Sequence, residues 1–397
     1  MGRSAKDPVP TYEALLVLCC VVTSMCYLGS HMRIPVVPLF ARTLGADTFQ
    51  VGAVNASFLF TAALLSLPLG LLSDRLGRKR LITAGLLIIS LSSFLLCFST
   101  TVLEMIGIYL LFGTGLAAFA PTMMSFVADF SPPTHLGRSY GWYTLALYGG
   151  MSTGPALGGA LAGWVGFQWT FAVSGAVTLA VLFLVAGLLP RAGQVLVNRP
   201  SKRPTGEVAK ELVKNAPLLA CWVATLGGCL GLGMFVTFVP LYAQDQGVRV
   251  EQIGFIFGLQ ALCNALSRIP FGRLSDRAAK RSRLATAGLL GLSVSIAGLG
   301  PARGMGAFLL FAAGLGISMG IAFTAIGALI SEVVAPDARG LAMGGYNSAI
   351  YIGMMVSSLV MGAVIREIGF KNAFLIVAVL NLGATGLFHR VFSHSPA

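Results

Sequence analysis

Hydrophobic residues occur along this chain in long runs that short polar segments separate. A helix needs about 20 mainly apolar residues to cross a bilayer, and twelve runs reach that length. They cover residues 13–40, 50–73, 81–99, 103–128, 140–164, 167–189, 217–243, 252–275, 284–302, 305–334, 342–365 and 371–392. The pattern therefore predicts an all-α integral membrane protein with twelve transmembrane helices.

The first run is the longest of the N-terminal ones, and Pro35 and Pro38 lie near its end. Proline removes a backbone donor and clashes with the preceding turn of a helix, so we expect this segment to be kinked. The run is too long for a cleavable signal peptide.

The second half of the chain repeats the first. The segment that starts at Pro68 returns 202 residues later at Pro270, and Gly166-Phe167 returns at Gly369-Phe370 with an offset of 203. The offsets divide the chain into two six-helix bundles, residues 1–189 and 217–397, with a cytoplasmic linker at 190–216. Repeated halves related by pseudo-symmetry are common in secondary transporters.

The composition agrees with a membrane location, since 56% of residues are hydrophobic, 10% are charged and the mean hydropathy is +0.83. In soluble domains about a quarter of residues are charged. The seven cysteines lie in apolar runs without the spacing of metal ligands, so we interpret them as packing residues. The sequence predicts no metal and no cofactor.

The basic residues predict the orientation. With the N-terminus cytoplasmic, the inner segments carry 20 of the 27 Lys and Arg residues and the outer loops carry five. The positive-inside rule then places both termini in the cytoplasm, and we expect a bacterial inner membrane. The net charge of +13 is explained by this bias and by anionic lipid. Nucleic-acid binding is disfavoured because the charges are spread over separate short loops.

A loop motif follows the second predicted helix and is repeated after the eighth. Its first copy comprises Gly70, Asp74, Arg75, Gly77, Arg78 and Lys79. Its second copy keeps Gly272, Asp276, Arg277, Lys280 and Arg281, with Ala279 in place of the second glycine. A carboxylate that could pair with these arginines ends the fourth and the tenth predicted helix, namely Asp129 and Glu332.

With these motifs the chain resembles the major facilitator superfamily over essentially its whole length. The resemblance implies two pseudo-symmetric bundles that alternate in access, and a charge cluster at the helix ends that holds the inner gate closed.

The fifth predicted helix carries a glycine and proline pattern. Its members are Gly141, Gly150, Gly154, Pro155, Gly158 and Gly159. Small residues at this spacing allow another helix to approach closely, and proline bends a helix. The pattern is similar to the signature of drug:proton antiporters within the superfamily.

The titratable residues depart from that group. All fourteen acidic residues fall at predicted helix ends or in loops, and Tyr109 stands where the antiporters usually carry an arginine. The basic residues inside the predicted spans and away from their ends are His31, Arg33 and Arg268, and such residues are functional candidates by default. The imidazole of His31 titrates near neutral pH and could carry a proton. Arg33 could bind an anion or extend to the headgroups, and Arg268 could belong to the inner gate.

Other polar residues are spaced to share a cavity wall, although each could equally form a helix-packing hydrogen bond. They are Tyr148, Gln260, Asn264, Tyr346 and Asn347. The leading hypothesis is a monomeric secondary transporter that exports a drug-like or amphipathic small molecule, coupled to protons. The alternative is an organic anion transporter that uses basic cavity residues. Nothing in the sequence favours a membrane enzyme or an ATP-driven pump.

Overall fold

The computed structural model describes residues 11–190, 205–277, 281–335 and 338–394. Within these ranges the side chains at 67, 71, 74, 133, 205–209, 276, 277 and 394 are not described. Residues 191–204 of the predicted linker at 190–216 therefore lie outside the described residues, and so does the gating residue Lys280. The same holds for the side chains of Asp74, Asp276 and Arg277, whose backbone is helical.

The described residues of the first half form seven α-helices. They are α1 (Tyr12–Met32), α2 (Val36–Thr43), α3 (Thr48–Leu76), α4 (Arg78–Phe98), α5 (Val102–Phe130), α6 (Leu136–Val165) and α7 (Phe167–Leu188). Two of these helices begin with a capping box, which satisfies backbone donors of the first turn. Asp47 and Gln50 form the box of α3, and Thr101 and Glu104 form that of α5.

The second half forms α8 (Thr205–Lys214), α9 (Ala216–Asp245), α10 (Val250–Arg277), α11 (Arg281–Leu299), α12 (Gly304–Val333) and α13 (Arg339–His394). The last of these is two helical arms joined at Gly369, whose φ of 76° interrupts the helix. Glycine adopts this left-handed conformation without a steric penalty.

Ten described helical stretches are long and apolar enough to cross a membrane, with α1 and α2 counted together and the two arms of α13 counted once. The second arm of α13 and the 30-residue α6 bring the described spans to twelve. At about 1.5 Å of rise per residue, α6 is long enough to cross the bilayer although it is less apolar than the others. The predicted fold class is confirmed.

The predicted kink in the first span is a break between α1 and α2. It falls at Arg33 and Pro35, where the amide of Val36 bonds to the carbonyl of Arg33 only three residues back. The equivalent helix of the second half, α9, continues through Pro240. Pro240 is the counterpart of Pro38, whereas the counterpart of Pro35 is Thr237. Pro35 is therefore the residue that distinguishes the two halves here.

We call α1 to α7 the N-half and α9 to α13 the C-half. Since the spans alternate in direction, the start of α1, the short helix α8 and the end of α13 lie on one face, called the linker side. The joints between α2 and α3, between α9 and α10, and at Gly369 lie on the opposite face, called the far side.

Candidate functional site

The two halves are joined on the far side by polar contacts. The guanidinium of Arg42 at the end of α2 lies 2.7 Å from a carboxylate oxygen of Asp245 at the end of α9. Thr48 donates a 2.7 Å hydrogen bond to the carbonyl of Gly362 on α13. Deeper in the interface, the amide of Asn55 donates to Thr237 at 3.2 Å. These contacts close the far side.

Helix α6 meets α10 of the other half through glycines. A Cβ added to Gly159 would lie 2.7 Å from the Cα of Gly254, and a Cβ added to Gly254 would lie 2.6 Å from the carbonyl oxygen of Pro155. Real Cβ atoms do not approach backbone atoms so closely. The absence of side chains at these positions is what allows α6 and α10 to touch.

The opposite face of α6 packs within its own half. A Cβ added to Gly150, Gly154 or Gly158 would overlap backbone atoms of α1, at Ser24, Leu28 and Met32 respectively. The predicted glycine pattern thus divides between two neighbours, with Gly159 facing the C-half. Gly141 has open space around it, and α6 runs continuously through Pro155.

Towards the linker side the halves are apart at the glycines that the structure describes there. A Cβ added to Gly70, Gly141 or Gly344 would meet no atom within 4 Å, and one added to Gly272 would meet only Thr324 of its own half. From this and from the far-side contacts we infer that the space between the halves opens towards the linker side.

On the N-half, His31 lies beside this space. Its side chain is half-buried on α1, with the ring nitrogen Nδ1 3.3 Å from the hydroxyl of Ser30. The ring centroid is 5.3 Å from that of Tyr27. Tyr27 in turn lies near Tyr148 of α6 and near Tyr351 of α13, which belongs to the other half.

On the C-half, Arg268 reaches the same group of residues. Its guanidinium carbon lies 4.5 Å from the centroid of the Tyr148 ring, a cation–π contact between the halves. Its Nε donates a 3.0 Å hydrogen bond to the side-chain oxygen of Asn264 one turn earlier. Tyr346 of α13 is buried and lies near both Arg268 and Tyr148. We call His31, Tyr27, Tyr148, Arg268, Tyr346 and Tyr351 the central cluster.

Part of the predicted polar wall of α10 is buried inside the C-half and does not face the N-half. Gln260 is 7% exposed, and its amide donates to the sulfur of Met319 on α12 at 3.3 Å. Asn264 is 5% exposed and reaches the cluster only through Arg268. Asn347, next to Tyr346, is exposed on α13.

Arg33 does not extend to the headgroups. Its side chain is fully buried inside the N-half, where Nη1 donates a 3.0 Å hydrogen bond to Ser92. The guanidinium stacks on Phe112 at 3.6 Å from the ring centroid and lies 5.9 Å from that of Tyr109. In this conformation Arg33 is not placed to contact a solute between the halves, and a role in coupling stays a prediction.

The gating motif contains an ion pair in each half. In the N-half, Nε of Arg78 lies 2.7 Å from a carboxylate oxygen of Asp129, and Nη1 of Arg78 donates to Ser73 at 2.7 Å. Gly77 precedes Arg78 with a φ of 93° and makes the turn between α3 and α4. Arg75 is exposed.

The second copy repeats the arrangement with Arg281, the motif residue that follows Lys280. Arg281 pairs with Glu332, and its Nε donates to the carbonyl of Ser275 at 3.1 Å. The 202-residue offset of the motif aligns Arg78 with Lys280, whereas the residue in the structural position of Arg78 is Arg281, at an offset of 203. Both ion pairs stay within their own half in this conformation.

We expect Arg78→Ala to reduce transport strongly and to leave solute affinity within several-fold. The substitution leaves the partly buried carboxylate of Asp129 without this partner, at a cost of about 1–3 kcal/mol, and loosens the linker-side ends of three helices that are remote from the central cluster. Transport into proteoliposomes and equilibrium binding would be measured in parallel. Arg80→Ala, which removes an exposed charge from the same helix end, is the control. A loss of affinity with normal turnover would instead assign Arg78 to solute binding.

Comparison with known proteins gives relatives of full length and of partial length. An uncharacterised MFS-type transporter of Methanocaldococcus jannaschii is 24% identical over 369 residues, which cover 91% of this chain and 94% of the relative. The gallate transporter of Pseudomonas putida is 24% identical over 397 aligned residues, covering 90% and 87%. The quinolone resistance protein NorA of Staphylococcus aureus is 26% identical over 226 residues, covering 55% and 56%.

Among solved structures, the chain is similar to a bacterial homologue of the human lysosomal transporter Spinster in its inward-facing, unoccupied conformation. The TM-score is 0.83 at 16% identity, covering 98% of this chain and 100% of that one. The nucleoside transporter NupG gives a TM-score of 0.75 at 16% identity, covering 95% and 99%. These likenesses concern the fold.

The family model of the Major Facilitator Superfamily matches residues 19–251 and 221–396, which together span nearly the whole chain. The chain therefore belongs to the Major Facilitator Superfamily and is a multi-pass membrane transporter rather than an enzyme.

Proposed function

We propose that this protein moves a small organic solute across the membrane by alternating access, with the solute bound at the central cluster. The observation that carries the proposal is the position of the cluster. It joins polar side chains of both halves, beneath a closed far side and facing the linker side. Transporters of repeated architecture bind solutes between their halves near the bilayer midplane.

The proposed cycle rocks one half against the other. With the linker side cytoplasmic, as the Lys and Arg distribution predicts, the conformation described here is open to the cytoplasm. Opening the far side requires the contacts of Arg42, Thr48 and Gly159 to separate. The domain boundaries at 189 and 217 remain the proposed limits of the two moving bodies.

The leading candidate activity is proton-coupled efflux of a drug-like or amphipathic compound. The glycine pattern of α6 supports it, because its two faces combine tight packing within the N-half with a separable contact to the C-half. His31 supplies an imidazole at the cluster, a side chain that can accept and release a proton. The partial relative named for quinolone resistance is consistent with this activity.

A second candidate is transport of an organic anion. It is favoured by Arg268, because the charged side chain of the central cluster is a guanidinium and the described carboxylates lie at helix ends. The relative named as a gallate transporter is consistent with such a cargo.

The test of proton coupling is His31→Gln, measured as transport into proteoliposomes under an imposed pH gradient. We expect pH-driven transport to be abolished and solute exchange down its own gradient to be kept, since exchange needs no net proton movement. His135→Gln, at an exposed histidine between α5 and α6, is the control. Unchanged pH-driven transport in the His31 variant would contradict the assignment of the proton to this residue.

A further inference from the structure

Arg268 is held at the boundary between the halves by two contacts of different kinds. Asn264, on the same face of α10, accepts from Nε at 3.0 Å. The ring of Tyr148, from α6 of the N-half, covers the guanidinium at 4.5 Å. The first contact fixes the rotation of the guanidinium plane and the second fixes its position against the other half.

These contacts leave the terminal edge of the guanidinium available. An arginine side chain has five N–H donors, and Asn264 uses the one on Nε. Among the described residues, no hydrogen bond from Nη1 or Nη2 of Arg268 is observed. These two nitrogens form the planar fork that matches a carboxylate with two parallel hydrogen bonds.

Among the described side chains, no carboxylate is observed to bond to that fork. The described acidic residues nearest in sequence on α10 and its partner α6 are Glu251, at the far-side start of α10, and Asp129, before α6 begins. Asp129 is paired with Arg78. A cation within a membrane protein is costly unless it meets an opposite charge or water, and here the space beside it is open to the linker side.

The neighbours of Arg268 are aromatic. Tyr148 covers the guanidinium with its ring face, Tyr346 lies near it, and Tyr27 lies near Tyr148 and Tyr351. Phenol rings offer apolar faces for stacking and polar edges for hydrogen bonds. A solute with a planar aromatic body and one negative group fits this combination.

We propose that Arg268 binds the carboxylate of an aromatic monocarboxylate through Nη1 and Nη2, with Asn264 as its positioning residue and Tyr148 as the contact to the opposite half. This inference rests on the proposed function, because it names the class of solute that occupies the central cluster. It gives Arg268 of α10 a role in binding the solute, in place of a role in the inner gate.

The experiment uses the full chain in lipid nanodiscs and matched pairs of aromatic probes, benzoate with benzamide and 2-naphthoate with 2-naphthamide. Each pair keeps the ring and removes the negative charge. Ligand-induced thermal stabilisation and competition give the affinity. We expect the carboxylates to bind at least about tenfold more tightly than the amides, which corresponds to one charge-assisted hydrogen bond.

Arg268→Gln should remove this preference, and Arg268→Lys should keep part of it, because a point charge remains and the fork is lost. Asn264→Leu should weaken carboxylate binding and leave amide binding unchanged, which a merely structural role would not do. Arg273→Gln, an exposed arginine farther along α10, is the matched control and should retain the preference. If Arg268→Gln does not fold, the Lys variant carries the test.

Equal affinity for carboxylates and amides, or an undiminished preference in the Arg268 variants, would overturn the inference. Loss of the preference in Arg33→Gln with retention in Arg268→Gln would overturn it as well and assign the anion to the buried arginine. Transport of cationic aromatic amines in place of carboxylates would refute this inference and leave the proposed transport function intact. If reconstituted protein moves no member of a mixed panel of anionic, neutral and cationic solutes, the proposed function itself fails.

Discussion

Gly159→Val should stop transport while the protein remains folded. The Cβ would lie 2.7 Å from the Cα of Gly254 and 2.9 Å from the carbonyl oxygen of Val250, and neither backbone atom can rotate away. Since these atoms belong to the C-half, the overlap exists only while the far side is closed. Overpacking costs about 1–3 kcal/mol, which changes the ratio of the two states by between about fivefold and 150-fold.

The neighbouring residue provides the control. In Gly158→Val the added carbon overlaps the carbonyl oxygen of Met32, which belongs to the same half and moves with α6. The strain is then present in every conformation, so we expect a lower thermal midpoint and no preference between states. The two substitutions are one residue apart but should have different effects. Gly159→Val should shift the balance between conformations, and Gly158→Val should lower the stability of all of them.

The measurement is the distance between spin labels on the far-side loops, at Thr100 in the N-half and Arg303 in the C-half, in a variant that lacks the native cysteines. Both positions are exposed. We expect a longer distance in Gly159→Val than in Gly158→Val or the parent protein. The interpretation of the α6–α10 contact as separable fails if the two glycine variants give the same distances and the same loss of stability.

Arg42→Asp should also open the far side and reduce transport, and the exchange of both charges in Arg42→Asp/Asp245→Arg should restore it. In the native pair two guanidinium nitrogens face the two carboxylate oxygens at 2.7 and 3.2 Å. The same guanidinium donates at 3.4 Å to Leu241 and Gln244 of α9. The single substitution replaces this attraction by repulsion between two carboxylates.

The contribution of the Arg42–Asp245 ion pair to closing the far side is limited, because both side chains are 38% exposed. Exposed pairs of this kind contribute up to about 1 kcal/mol. The effect should weaken at high salt, which screens exposed charges. Arg366→Ala tests the neighbouring pair with Asp47, which is longer at 3.8 Å and more exposed, and should have little effect. Failure of the double exchange to restore transport would mean that Arg42 acts through something other than its charge.

Much of the fold was accessible from the sequence because it depends on length, hydropathy and a repeat. The 202-residue offset and Pro35 were sufficient to predict two bundles and a broken first span. The rotation of each helix about its own axis, which decides which residues face the other half, could not be predicted from the sequence. Helix α10 carries Gln260, Asn264 and Arg268 at four-residue spacing, but the sequence does not show which neighbouring helix this face meets. The contact of Arg268 with Tyr148 and the turn of Gln260 towards Met319 follow from that rotation.

The break at Arg33 and Pro35 gives the two halves different mechanical properties. In the N-half, the far-side contact of Arg42 is carried by α2, a helix of eight residues attached to α1 through a turn. In the C-half, its partner Asp245 ends α9, a continuous helix of 30 residues. We expect the short helix α2 to tilt about the break without disturbing the packing of α1, whereas α9 should move as one rigid helix. Amide hydrogen exchange should accordingly be faster in α2 than in the last two turns of α9, and the far-side opening should begin in the N-half.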